Sequence, residues 1–239
     1  MSDTAQHIVK SYDQELRRLR GLMTQMGGLV ESQLSLATEA IVEQDGAAAT
    51  KAVEQDPAVD ALEREVEAFV IRLLALRQPV AGDLREVVAA LKITAALERI
   101  GDYAANVAKR SIVLNQFRVP FGTAPLANMS RLVQENLRLV IDAVGAGDAE
   151  KAVQVWRSDQ EIDDLYNGIF RELITYMMED PRSITPCTHL LFIAKNLERI
   201  GDHATNIAET VHYAVRGAIL PDERPKADVS ADMPPAPAA

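Results

Sequence analysis

Two stretches of this chain say nearly the same thing a hundred residues apart. "LKITAALERIGDYAANVA" at 91–108 and "LFIAKNLERIGDHATNIA" at 191–208 align without a gap and share 11 of 18 residues. About one identity would be expected from average composition. A weaker echo precedes each copy, "DPAVD" at Asp56–Asp60 and "DQEID" at Asp159–Asp163. A repeat of this period makes each copy one supersecondary unit and restricts the fold to two such units packed together. Helical periodicity runs with few interruptions from Ile8 to Leu220. The interruptions are "EQDGAA" around Gly46, "RQPVAGD" around Pro79, "FRVPFGTAPL" at Phe117–Leu126, "GAGD" at Gly145–Asp148 and "EDPRSITP" around Pro181. They leave three helices on each side of the Phe117–Leu126 linker, and short loops make neighbours antiparallel. The expected fold is all-α, two tandem three-helix bundles related by the internal repeat. Residues 1–117 form the first bundle and 118–220 the second. Residues 221–239 hold five prolines and no apolar period, and are expected to be a disordered tail.

On a helix at 100° per residue, Ile93, Leu97, Ile100, Ala104 and Val107 line one narrow seam, as do Ile193, Leu197, Ile200, Ala204 and Ile207. That seam is what bundle packing requires. Glu98, Asp102 and Asn106 step by four along a stripe roughly 140–180° from the seam centre, repeated at Glu198, Asp202 and Asn206. These acids are expected on the outer face or against the flank of a neighbouring helix, as a surface feature. A single such pair repels by only about 0.2–0.5 kcal/mol and reads as a solvated face, with Arg99 and Arg199 available to pair. The same order in two diverged copies favours a ligand set. Asp56 with Asp60, and Asp159 with Asp163, add i, i+4 carboxylates on the preceding helices, so four carboxylates and an amide can converge in each half. Hard, all-oxygen sets of that kind suit Mg, Mn, Ca or iron better than zinc. A solvated acidic face without metal stays open as the other reading.

Gly101 and Gly201 each cost a helix about 1 kcal/mol relative to alanine, which points to a close approach there, of a helix or of a ligand. His203 lies five residues after Glu198 and His189 nine before it, not the Glu-x-x-His spacing of a di-iron bundle site. Phosphate loops, Ser/His/Asp sets and Cys-x-x-Cys pairs are absent from the sequence. "LRRLR" at Leu16–Arg20 reads as a solvated helix face, and the methionines, Met177 and Met178 among them, as core fillers. A formal charge of −10 disfavours nucleic acid and anionic lipid as direct partners and suits cations or a basic protein surface. One cysteine, Cys187, cannot form an internal disulfide and fits a reducing cytoplasm. No run of about 18 uncharged apolar residues exists to span a membrane, and no apolar leader is present.

"DLREVVAALKITAALERIGDYAANVA" at Asp83–Ala108 and "LERIGDHATNIAE" at Leu197–Glu209 resemble the paired signatures of the PhoU family of phosphate-transport regulatory proteins. The resemblance covers about residues 5–219. It implies two three-helix bundles side by side in a cytoplasmic, often dimeric protein. It implies metal held by E/DxxxD pairs, here Glu98 and Asp102, Glu198 and Asp202, Asp56 and Asp60, and Asp159 and Asp163, with Fe, Mn, Mg or Zn as the identity. It further implies a non-enzymatic adaptor that links the ATPase-driven phosphate ABC transporter to a sensor histidine kinase and keeps phosphate-starvation genes and uptake in check. "DLR" before the first signature is "SIT" at Ser183–Thr185 before the second, so a partner-binding role for Asp83 and Arg85 has no twin. The rivals are a metal-carboxylate enzyme in a helical bundle and a metal-free helical scaffold.

Overall fold

The computed structural model describes residues 2–117 and 122–221, with side chains from Tyr12 onward. Seven α-helices and a short 3-10 turn make up the described chain, with no strand among the described residues. The first half holds α1 (Ser2–Val42), α2 (Gly46–Glu54), α3 (Asp56–Arg77) and α4 (Ala81–Leu114). The second holds α5 (Ala124–Ala146), α6 (Ala149–Glu179) and α7 (Ile184–Arg216). The expected boundary at 117/118 and the expected tail from 222 onward fall outside the described residues.

The breaks come where local chemistry puts them. Asp45 caps α2, its carboxylate accepting from the amides of Ala47 and Ala48 at 2.7 and 3.2 Å. Gln78, left-handed at φ 47°, ends α3. Gly147 ends α5 at φ 63°, a conformation glycine adopts without strain, and Asp148 then caps α6. The middle element is one helix in the second half and two in the first. Pro57 has no N–H for the Val53 carbonyl, and its ring would collide with that carbonyl in a continuous helix. Gln160 stands at the matching place and α6 runs through.

Both halves fold up-down-up. Gln33 of α1 reaches Asp56 of α3, Val59 of α3 packs on Gly101 of α4, and Arg20 of α1 grips Glu86 of α4 at 2.6 and 2.7 Å. The two signature helices, α4 and α7, lie antiparallel against each other at the middle of the molecule. Tyr103 meets His203 with ring centroids 5.6 Å apart, and the Arg110 guanidinium lies 4.2 Å over Phe192. Each therefore touches three long helices: α4 meets α1, α3 and α7, and α7 meets α4, α5 and α6. All ten seam residues are buried, and so are Ala105 and Ala108. A buried Leu or Ile contributes about 1.5–3 kcal/mol by leaving water, so the seam joins the facing residues of the other helices as a substantial part of the core.

Three expectations need correction. Glu198 is not a surface residue: it is 4% exposed, and Asp159 and Asp163 are buried beside it. The flank at 140° from the seam faces solvent on an isolated helix, but α6 lies against it here. Met178 is 81% exposed rather than a core filler, because two consecutive residues on the last turn of α6 cannot both face inward and Met177 does. "LRRLR" is not uniformly solvated either: Leu16 and Leu19 are buried, while Arg18 and Arg20 bind Glu65 and Glu86.

Candidate metal faces

The glycines of the two signatures mark where the middle helix of each half comes close. A β-carbon on Gly101 would stand 3.1 Å from Gln33 Oε1 and 3.3 Å from Val59 Cγ1. On Gly201 it would stand 3.0 Å from Ile162 Cδ1. Val59 and Ile162 sit at the same place within "DPAVD" and "DQEID". The close approach is therefore helix on helix, and it sets each aspartate pair of the middle helix beside the Glu-xxx-Asp pair of the signature helix.

In the first half this yields an open acidic face on α3 and α4. Glu98 is partly buried, and its carboxyl is pushed above the ordinary range first by burial and then by Asp102. Glu63 and Asp60 push the same way, while Arg99 opposes. Glu63 is raised in turn by burial, Glu67 and Asp60. Arg99 is the cation at hand, 3.5 Å from Glu98 and 3.4 Å from Asp102, on a largely exposed side chain. Asp56 lies at the edge of this group and accepts from Gln33 Nε2 at 3.3 Å. Glu63 was missed in the sequence, although it follows Asp60 by three residues and so shares its face.

In the second half the same acids are tied down. Lys195 reaches Glu198 Oε1 at 2.7 Å and lies 4.7 Å over the Tyr166 ring. Glu198 Oε2 is buried with no hydrogen-bond partner. Its carboxyl is pushed up by burial, pulled down by Lys195, and pushed up again by Asp202 and Asp163. The Thr205 hydroxyl donates to Asp159 Oδ1 at 2.9 Å. Neither Lys195 nor Thr205 has a counterpart in the first signature, which holds Ala95 and Ala105 in their places.

The fit to a metal ion therefore differs between the halves. The first face is rich in oxygen donors that repel one another, an arrangement a hard cation relieves. The second has an ammonium already on its buried glutamate. Among the described residues no three Asp, Glu, His or Cys side chains converge into a ready-made cage. Asp83 and Arg85 lie elsewhere, at the start of α4. The Tyr12 hydroxyl is pushed up to about 12, by burial first and then by Asp83. Arg85 donates from Nε to the Ala214 carbonyl at 3.4 Å and covers Gly217 at the end of α7.

Comparison with known proteins agrees with this architecture. The model of the PhoU domain matches twice, over residues 23–111 and 126–211. A phosphate-specific transport system accessory protein PhoU homolog of Caulobacter vibrioides is 51% identical over 225 residues, covering 94% of this chain and 98% of its own. One of Zymomonas mobilis is 48% identical over 90% of this chain and 91% of its own. The crystal structure of PhoU from Pseudomonas aeruginosa superposes with a TM-score of 0.85 at 40% identity, covering 87% of this chain and all of that one. That of the phosphate transport system regulatory protein PhoU from Streptococcus pneumoniae gives 0.81 at 30% identity, covering 88% of this chain and 99% of that one. With both halves matched by the domain and the fold shared over 87% of its length, the chain belongs to the PhoU family.

Proposed function

We propose that this protein is an accessory regulator of a phosphate-specific transport system, acting by docking rather than by catalysis. The observation that carries the reading is the near full-length identity to relatives named as accessory proteins of that system. In the same reading the protein works in the cytoplasm, where a lone buried Cys187 raises no disulfide question. No helix among the described residues is long and apolar enough to cross a membrane, so contact with a transporter runs through the ATPase subunit or exposed loops. The other partner is a sensor histidine kinase, and the protein restrains starvation genes and uptake when phosphate is plentiful. It acts as a homodimer.

Metal belongs to this reading as a shaper of the docking surface. Asp60, Glu98 and Asp102, with Glu63 beside them, hold the ion on the first face, and Asp56 supports them from the edge. Asp159, Asp163, Glu198 and Asp202 are the second set, and Lys195 must withdraw from Glu198 before an ion enters. Bound metal would supply positive charge that draws the facing helices together. Arg85 and Asp83 then fix the junction of α4 with α7, from which partner contact is felt across both halves.

The test is a deletion strain carrying a phosphate-starvation reporter. Expression in high phosphate is expected, and normal repression would overturn the regulatory reading. Metal content is tested separately, by elemental analysis of native protein and of Glu98→Gln/Asp102→Asn. No bound metal in wild type, and none taken up on titration, would remove the ligand assignment while leaving the adaptor.

A further inference from the structure

Besides the core seam and the acidic stripe, α4 and α7 carry a third stripe. It comprises positions 92, 96, 99, 103, 106 and 110 on α4, and the positions 100 further along on α7. In both helices exposure alternates along it in the same order, exposed then half-buried, and the two stripes border one side of the α4–α7 junction, whose furrow we call the channel. Contacts across the α4–α7 junction join them: Tyr103 with His203, Arg110 with Phe192, and Arg199 over the Tyr103 ring at 5.6 Å. None of these positions is acidic, in a chain of net charge −10. Four are cations, Lys92, Arg99, Arg110 and Arg199.

Arg99 leans toward Glu98 and Asp102. Lys92, Arg110 and Arg199 have no carboxylate at ion-pair distance among the described residues. Arg110 and Arg199 instead stand over aromatic rings, 4.2 Å from the Phe192 centroid and 5.6 Å from that of Tyr103, within cation–π range. Phe192, 48% exposed, and the half-buried Tyr103 give the channel apolar footholds. A stripe from 92 to 110 is about 27 Å long at 1.5 Å per residue. That is the length of a short helix, and the width is the furrow between two packed helices, which sit about 8–10 Å apart.

We propose that this channel is a docking site for an acidic amphipathic helix of a partner protein. The proposal does not depend on metal or on the phosphate reading. A flat anionic surface is disfavoured, because a membrane or a nucleic acid duplex laid on the channel would also cover the carboxylates of Glu98 and Asp102 beside it. A single helix fits between the acidic flanks, its carboxylates on the three cations and its apolar side on Phe192 and Tyr103. A second copy would set the same cations against one another.

The test uses the full chain and a fluorescein-labelled, designed 20-residue helix with a narrow leucine stripe flanked on both sides by glutamates. Fluorescence anisotropy at low salt should show saturable binding that weakens as salt rises. Lys92→Glu/Arg199→Glu, and separately Arg110→Glu, should weaken it at least tenfold, with circular dichroism confirming that the variants fold. Glu98→Gln/Asp102→Asn should leave it intact or strengthen it. The lysine counterpart of the helix should bind the double variant better than the wild type. Equal binding of the glutamate helix by wild type and variants would overturn the proposal. So would tighter binding, lost in the same variants, to phosphatidylglycerol vesicles than to the helix. Loss of a dimer in sedimentation of the double variant would assign the channel to a second copy and overturn it too.

Discussion

The two halves carry the same acidic phrase in opposite states. On α4 the carboxylates face water and each other, with an exposed arginine at the rim. On α7 the matching glutamate is buried and held by Lys195, and the matching middle-helix aspartate takes a hydroxyl from Thr205. Three substitutions mark the difference, Ala95 against Lys195, Ala105 against Thr205, and Glu63 against Tyr166 on the middle helices. A repeat can thus keep the same carboxylates while one copy leaves them partly open and the other ties them into the packing. The buried glutamate is stabilised only while its internal cation stays, since a lone buried carboxylate is costly.

The sharpest break of that contrast is Lys195→Ala. It strands Glu198 and should cost about 3 kcal/mol, whereas Arg99→Ala on the first face should cost less than about 1 kcal/mol. Urea denaturation of both variants measures the gap, and the double variant Lys195→Ala/Glu198→Gln should recover most of the loss. Metal addition comes next. At a concentration about 100 times its dissociation constant, Mn should stabilise the wild type by about 2.7 kcal/mol. Most of the gain should be lost in Glu98→Gln/Asp102→Asn and most kept in Asp159→Asn, since Lys195 opposes an ion on the second face, and equal loss in both would mean the halves bind alike. Third, Thr205→Ala removes a hydrogen bond to a charged acceptor and should cost about 1.5–2 kcal/mol. The reciprocal Ala105→Thr should not stabilise the first half, because Asp56 already has Gln33 and the added atoms enter a packed, buried position.

The smallest effect concerns how the first half is fastened at its edge. Arg77 binds Glu15 through two hydrogen bonds of 2.7 and 3.1 Å, linking α3 to α1. The guanidinium holds the Glu15 carboxyl below its ordinary 4.5. A depressed folded value means the contribution is full above 4.5 and lost as pH falls through the lower value. Arg77→Ala should therefore give the smallest loss of the set at pH 7, a smaller one in high salt, and none at the acid end. Thermal melts of wild type and variant across that pH range check it.

The correction at Glu198 shows where helical arithmetic stops. An angle of 140° from a seam describes one helix alone, and α7 has neighbours on three sides. The same arithmetic located the glycine contact well, because a β-carbon missing from two repeats at one place needs a close neighbour. It could not say that the neighbour was Val59 in one half and Ile162 in the other. Glu63 was legible by its spacing from Asp60, but the repeat did not point to it, since Tyr166 stands at the matching place in the second half. Lys195 could not be read as a partner of Glu198 with any more force than Arg199, since both lie within one turn of it.

What the residues alone determined is the fold class, the duplication, the seam and the helix ends other than the break between α2 and α3 before Pro57. These follow from periodicity, proline, glycine and capping side chains, which act within a few residues along the chain. Whether a carboxylate faces water or a lysine was decided by the packing of α6 on α7 and α3 on α4. Burial is set by every helix that surrounds a site, and a helix cannot announce in its own sequence which neighbour will lie against its flank.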